Sequence, residues 1–432
     1  METKLNLISK IAEEDKSCKF KNVVHLLNVC NLKECFYMLN KNKAAGIDGV
    51  SYSEYAEDLD DNLENLVNRM KSFSYKPQPV KRVYIPKSNG KQRPLGIPSL
   101  EDKIVQMGIT RILSAIYEND FMYFSYGFRP NCSCHDALQE LDSIIMSHSV
   151  NHIIDADIEG FFDNVDHAWL MRCLEERISD KNFLRLIVRF LKSGIIEEGK
   201  FSKTETGTPQ GGILSPILAN IYLHYILDLW FEKKIKKTAK GYVGIVRYAD
   251  DFIICVQYKE DVHRIFFELK NRLSKFNLSL SAEKTRIIEF GRYAVENARN
   301  KGKKASTFDF LGFTHYCNIS RKGNFIVGRK TNRKRFTSKL KELNKWLKSV
   351  RNLFKIKELW KLLSSKLRGH FQYYGVSGNY NSIQNFYYYT LKLVFKWINR
   401  RSQKKSCNWE SFNIYLNKYP LPKPKIRHSF YV

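Results

Sequence analysis

The sequence predicts an α+β fold: a mixed body of helices and strands followed by a helical domain rich in lysine and arginine. Three observations carry that prediction. Two pairs of β-rich runs meet at short polar joints. Val83–Pro86 and Arg93–Ile97 flank Ser88-Asn89-Gly90-Lys91, and Tyr242–Val246 and Phe252–Val256 flank Tyr248-Ala249-Asp250-Asp251. Both read as hairpins. Downstream, Phe336, Leu340, Leu343, Leu347, Val350 and Phe354 recur at three- and four-residue steps, which is one helical stripe. Finally, the charge is split. Of 72 Lys+Arg and 44 Asp+Glu, 27 and 3 respectively fall after residue 320, so the first 320 residues are close to neutral.

The elements follow in order. Residues 1–45 read as an amphipathic helical extension, with Val23, Val24, Leu26, Leu27 and Leu32 among polar residues. Lys43 to Gly49, with two glycines, ends that pattern. The first hairpin is followed by a helix from Leu100 to Ala115, whose apolar side carries Ile104, Met107, Gly108, Ile112 and Leu113. Ile153-Ile154 opens a strand; extended to Glu159, it puts Asp155, Asp157 and Glu159 on one face. Gly207 to Pro216 is a Gly/Pro-rich loop leading into an apolar helix from Leu218 to Trp230. The domains are expected at 1–45, 46–320 and 321–432.

Composition narrows the function. The 432 residues suffice for two or three domains, and no apolar run approaches the roughly 18–20 residues that span a bilayer. The N-terminus has no signal-peptide core. Nine cysteines without a Cys-x-x-Cys pair fit a reducing cytoplasm and argue against zinc; Cys132-Ser133-Cys134-His135 is the one compact thiol/imidazole cluster. The basic excess after residue 320 would repel itself without a polyanion, so a nucleic-acid partner is expected, with an anionic membrane surface as the competing reading.

The chemistry starts at Asp250-Asp251. Adjacent carboxylates at a hairpin tip repel each other and tend to hold a proton. A divalent cation removes that cost, and hard oxygen donors suit Mg²⁺. As a bare dipeptide, Asp-Asp is equally an ordinary turn, so the reading needs a third carboxylate. The segment Asp155 to Asp163 is the obvious source, and spacing leaves open which of its acids takes part.

Together these segments closely resemble reverse transcriptases, specifically the bacterial group II intron-encoded type, over roughly residues 20 to 430. The resemblance rests on Gly46 to Gly49, Ile85 to Lys87, Arg93 to Pro98, Ser125 to Pro130, Asp157 to Asn164, Thr208 to Pro216, Tyr248 to Asp251, Glu283 to Thr285 and Phe310 to Phe313, in family order. It implies a right-hand polymerase of fingers and palm followed by an α-helical thumb/maturase domain. It implies metal ligands Asp157, Asp250 and Asp251 holding two Mg²⁺ ions, with Mn²⁺ as a substitute. Asp155 becomes a supporting carboxylate and Asp163 a structural or helix-capping group. Lys87 and Arg93 match the triphosphate grip, Gln210 a nucleotide or template-base contact, and Phe162 the ring beneath the sugar that disfavours a 2′-hydroxyl. Lys284 matches a general acid for pyrophosphate, and Leu311-Gly312 the turn supporting the primer terminus. One departure is Cys132, where the family commonly has Arg; it weakens a template contact there.

Leu367 to Gly375, Trp397, Arg400 to Lys404 and Trp409 likewise resemble the thumb and maturase region, with three-helix packing and most of Tyr373, Tyr374, Tyr387, Tyr388, Tyr389 and Trp397 in the bundle core. No Cys pair or HNH-like segment follows Pro422, so a nuclease domain is expected to be absent. The implied function is an RNA-directed DNA polymerase that copies intron RNA and assists its splicing. The implied partners are an RNA template, a DNA primer, group II intron RNA and a DNA target; the implied protein is cytoplasmic, binds no membrane or zinc, and is a monomer or homodimer. Two alternatives stay open: a domesticated reverse transcriptase in repair or defence, and an RNA-binding splicing cofactor without polymerase activity.

Overall fold

A computed structural model describes residues 2–86, 92–208, 211–402 and 407–430. The chain forms two compact units, one of residues 1–137 and 154–287, the other of 138–153 and 288–432.

In the first unit, helices Glu2–Glu14 and Val29–Met38 form within the expected N-terminal extension, the second started by an Asn28 side chain that accepts from Asn31 N. Strands β1 (Val80–Pro86) and β2 (Gln92–Ile97) pair antiparallel, with Ile85 opposite Arg93. The Asn-Gly turn expected between them lies outside the described residues. Helix Leu100–Tyr117 follows, capped by Ser99, and buries Ile104, Val105, Ile109, Ile112, Leu113 and Ile116. Six apolar side chains at helical spacing make it a central strut of the core.

Strand β3 (His152–Asp157) is shorter than the extended run to Glu159. Ile158 makes only an isolated bridge to Leu280, and Gly160 turns the chain at φ 53°, which starts the short helix Phe161–Asn164. Glu159 is therefore exposed and off the strand face. Asp163 sits inside that helix, exposed, while Gly160 holds the cap position, so Asp163 is not the capping group. Short strands β4 (Ile195–Glu197) and β5 (Lys200–Ser202) extend the first hairpin into a sheet of order β2-β1-β4-β5.

Helix Ser215–Leu223 passes into π-helical turns at His224–Asp228 and Phe231–Ile235. The apolar run from Leu218 to Trp230 is thus helical but not uniformly α. Strands β6 (Val243–Tyr248) and β7 (Asp251–Val256) form the expected hairpin with Tyr248 opposite Asp251. With β8 (Arg286–Glu289) they complete a sheet of order β6-β7-β3-β8. β6 and β7 are buried along nearly their whole length, as their continuous apolar runs require.

In the second unit, β9 (Phe308–Phe310), β10 (Phe313–Ile319) and β11 (Phe325–Thr331) form an antiparallel sheet. Helices Arg333–Val350, Ile356–Tyr374, Tyr380–Ile398 and Trp409–Lys418 follow. Their buried stripes include Leu343, Leu347, Leu363, Leu367, Phe371, Ile383, Phe386 and Val394. Tyr374 and Trp397 are buried with them, whereas Tyr388 and Tyr389 are exposed. Asn379 ties strand to helix: its amide donates to Thr331 Oγ1 (2.9 Å) and Tyr374 O (2.8 Å), and its Oδ1 accepts from Thr331 N (2.8 Å). No helix among the described residues is long and apolar enough to cross a membrane.

Candidate active site

The carboxylates gather where neighbouring strands of one sheet begin and end. Asp157 is the last residue of β3, and Asp251 is the first of the adjacent β7. Ala249 and Asp250 form the two-residue turn between β6 and β7. Such a turn needs a positive φ, and Ala249 supplies it at 58°. A bulkier-than-glycine residue in that conformation marks a turn held by its surroundings.

Burial and neighbouring charge both act on these acids. Burial pushes the Asp251 carboxyl up to about 8, and the negative charges of Asp155, Asp250 and Asp157 add to the shift. Asp250 is also raised, first by burial and then by Asp157, while Arg93 and Lys284 oppose it. Lys284 reaches Asp157 directly, Nζ to Oδ2 at 2.7 Å. It is seated by a tight turn in which Ser281 N donates to Asp157 O (2.8 Å) and Thr285 N to Ser281 O (2.9 Å). Asp155, buried on β3, receives Arg286 Nη2 at 3.2 Å. Asp155 thus has a cationic partner within the protein, whereas Asp250 and Asp251 are left with excess negative charge.

Among the described residues no three His, Cys, Asp or Glu side chains converge closely enough to enclose a metal ion as they stand. The donor set nevertheless fits a hard divalent cation: all its atoms are carboxylate oxygens. Lys284 bonds Asp157 directly and reaches Asp250 and Asp251 only as a through-space charge, which burial and their neighbouring carboxylates outweigh.

An open cavity of about 270 Å³ lies between the first hairpin and the 203–208 loop, lined by Arg82, Pro94, Gly96, Phe162, Gly207 and Thr208 among others. Phe162 is half-buried and meets the buried Phe161 edge to face at 5.3 Å. Its carbonyl accepts from Thr208 N (2.7 Å). Gly207, at φ 86°, runs so close to this segment that a Cβ would meet Asp163 O at 2.8 Å. Only glycine can occupy a left-handed position pressed against backbone. Farther along the same loop, Gln106 Oε1 accepts from Ile213 N (2.9 Å), anchoring it to helix Leu100–Tyr117. Arg93 is exposed on β2. Lys87 and Gln210 lie outside the described residues.

The family described as reverse transcriptase (RNA-dependent DNA polymerase) matches residues 85–315. That span contains the β6–β7 hairpin, the three aspartates and Phe162. The chain belongs to the reverse transcriptase family. It is 30% identical to the group II intron-encoded protein LtrA of Lactococcus lactis subsp. cremoris, over 89% of this chain and 75% of that protein. It is 36% identical to protein YkfC of Escherichia coli K12, over 56% of this chain and 71% of that one. A putative COX1/OXI3 intron 2 protein of Saccharomyces cerevisiae matches at 38% over 40% of this chain and 20% of its own length. The chain is therefore an RNA-directed DNA polymerase that takes an RNA template, in a family that uses divalent metal ions.

In this reverse transcriptase, Leu311 and Gly312 belong to the second unit, where they form the turn between β9 and β10, both at positive φ. Tyr373 Oη donates to Leu311 O (2.9 Å), and Asn332 N to Gly312 O (3.0 Å), so the turn is pinned to helix Ile356–Tyr374 and to the end of β11. Phe310 and Phe313 on either side are core. The Ser125–Pro130 motif has an internal use: Arg129 bonds Glu118 Oε1 (2.9 Å), Met122 O (2.9 Å) and Ser125 O (2.6 Å). Residues that sequence reasoning passed over lie under the acids: Arg286 on β8 and Arg247 on β6. The available signal was a charged residue inside the buried run Val243–Tyr248, which requires a buried partner.

Proposed function

We propose that this enzyme is a group II intron reverse transcriptase that copies intron RNA into cDNA and assists splicing of that RNA as a maturase. The observation that carries the chemistry is the placement of Asp157 at the end of β3, Asp251 at the start of the adjacent β7 and Asp250 on the turn that leads into it. These three are the proposed ligands of two Mg²⁺ ions, with Mn²⁺ as a substitute. When bound, the ions supply activation of the primer 3′-hydroxyl and neutralise charge on departing pyrophosphate. The protein's own groups do the rest. Lys87 and Arg93 would grip the triphosphate, Arg through its planar fork. Gln210 would contact the nucleotide or template base. Lys284, already at Asp157, would donate a proton to pyrophosphate. Leu311 and Gly312 would support the primer end.

In this reading fingers and palm occupy residues 46–320 behind the extension 1–45, and thumb and maturase surfaces 321–432. The partners are RNA template, DNA primer, intron RNA and a DNA target. The enzyme works in a bacterial cytoplasm as a monomer or homodimer. A template–primer extension assay with Mg²⁺, run beside a splicing assay on the flanking RNA, tests both halves. DNA synthesis that stops with EDTA, together with faster splicing, is the expected pair of results. Extension without faster splicing would remove the maturase half alone.

Phe162 is the proposed sugar-discriminating residue. Phe162 lines the cavity, and in this reading a 2′-hydroxyl on the bound sugar would meet its ring. Phe162→Val removes that bulk while leaving the backbone bond to Thr208. Ribonucleotide incorporation relative to deoxyribonucleotide is expected to rise by about tenfold or more, the scale of relieving one steric clash in a pocket. Unchanged sugar selectivity in single-nucleotide incorporation would remove Phe162 from this role.

A further inference from the structure

Arg247 is fully buried in strand β6, two residues before the turn that carries Asp250. Its guanidinium forks onto Asp228, Nε to Oδ1 at 2.8 Å and Nη2 to Oδ2 at 2.5 Å, and Asp228 is equally buried. The remaining nitrogen, Nη1, donates to Asn220 Oδ1 (3.1 Å) and to Ala249 O (3.0 Å), the carbonyl of the turn itself. Asn220 in turn donates its amide to Gly127 O (2.7 Å). Gly127 presses on the other side of the turn, where an added Cβ would lie 2.2 Å from Ala249 N. The backbone of Arg247 closes the arrangement, its N donating to Phe124 O and its O accepting from Tyr126 N, both at 2.9 Å. Ala249 is thus clamped from both sides in its left-handed conformation (φ 58°).

The helix that supplies the two partners is shaped for this. Residues 220 and 228 are eight apart, which in a regular α-helix places them about 80° apart around the axis. The π-helical turn at His224–Asp228 spreads more residues over one turn and brings Asp228 back toward the face of Asn220. Such π segments are frequent at functional sites. A buried ion pair, moreover, is weak evidence of a stabilising role, since apolar residues of similar volume often serve a core equally well.

We propose that Arg247, Asp228 and Asn220 are positioning residues for polymerisation: they impose the left-handed Ala249 and so aim the Asp250 and Asp251 carboxylates. The inference rests on those aspartates being the metal-binding acids. Arg247 touches no substrate; it acts through the turn.

The test is the double variant Arg247→Met with Asp228→Leu in the full-length enzyme, which replaces the pair without leaving a lone buried charge. Its thermal midpoint and its KM for template–primer are expected to stay close to the parent's. Its kcat is expected to fall about 100-fold, the scale of a misplacement near 1 Å. Its affinity for Mn²⁺, read by electron paramagnetic resonance of the free ion without nucleotide, should weaken about tenfold. Adding Ala249→Gly to this background should recover about tenfold in kcat, because glycine adopts the left-handed conformation unaided. A core role alone predicts no such rescue. If the double variant does not fold, Arg247→Lys, which keeps the charge and loses the fork, is tested with and without Ala249→Gly. Parental kcat and Mn²⁺ affinity in the folded variant, or no rescue by glycine, would overturn the proposal. Asp250→Ala run alongside separates the two readings. If Asp250→Ala polymerises normally, the metal-site assignment fails; if it is inactive while the Arg247 variants are unaffected, only this inference fails.

Discussion

Asp250→Ala is expected to reduce DNA synthesis by at least about 10³-fold while leaving RNA affinity within a few-fold. The size follows from what is removed. A ligand that fixes a catalytic cation contributes several kcal/mol of transition-state charge stabilisation, and each 1.36 kcal/mol is about tenfold in rate. The selectivity follows from where the charges lie. Asp250 sits on a two-residue turn held by Arg247 through Ala249 O and by the paired strands on either side, so truncation is expected to leave the hairpin intact. The substitution also removes one of the negative charges that raise Asp251, so the folded protein should be no less stable than the parent. The basic excess proposed to bind RNA lies after residue 320. Primer extension and equilibrium RNA binding on the same preparation decide it. Synthesis within tenfold of the parent would remove Asp250 from the metal site; joint loss of synthesis and RNA binding would count against separate surfaces for the two.

What was readable in the sequence, and what was not, divides along physical lines. The β6–β7 hairpin, strand β3 and helix Leu100–Tyr117 were legible because each announces itself within a dozen residues, through apolar runs bounded by turn chemistry. Asp250 and Asp251 were legible as candidates for the same reason, whereas Asp157 was separated from Asp155 and Glu159 only by the family resemblance. The partners that tune them were not. Lys284 meets Asp157 across 127 positions of chain, and Arg247 meets Asp228 across 19, by way of a helix. Residue type foretells that a buried Arg needs an anion but not which one. The end of β3 at Asp157 was misjudged because alternation continues to Glu159 in the sequence, whereas Gly160 turns the backbone away. The π turns in the helix after Ser215 were invisible, since an unbroken apolar run is compatible with either helical pitch. The use of Arg129 was likewise invisible: it is spent on Glu118 and two carbonyls of its own loop.

RNA affinity is expected to fall by about 10³–10⁵ between 50 and 200 mM salt, if six to ten phosphates are neutralised on binding. The helix Arg333–Val350 carries the basic face on which this prediction rests. Leu343, Leu347 and Val350 are buried on one side. Lys334, Lys341, Lys345 and Lys348 are exposed, and at about 100° per residue they form a single stripe on the opposite side. Carboxylates that could neutralise this stripe are scarce: among the described residues of the helix, the only ion pair is Lys339 with Glu342. Phosphate contacts of this kind position an RNA without reading its sequence. Replacing the four stripe lysines with glutamine should therefore weaken intron RNA and unrelated structured RNA alike. It should also lessen the slope of log K against log salt by about 3 to 4, near 0.9 for each duplex phosphate that is no longer neutralised. Because the substituted residues are exposed and face away from the packed stripe, the thermal midpoint should hold, and kcat at saturating template–primer should stay at the parental value. A salt slope unchanged in the quadruple variant would mean that this face of the helix does not meet RNA, and the excess charge after residue 320 would then have to act through other helices of the same unit.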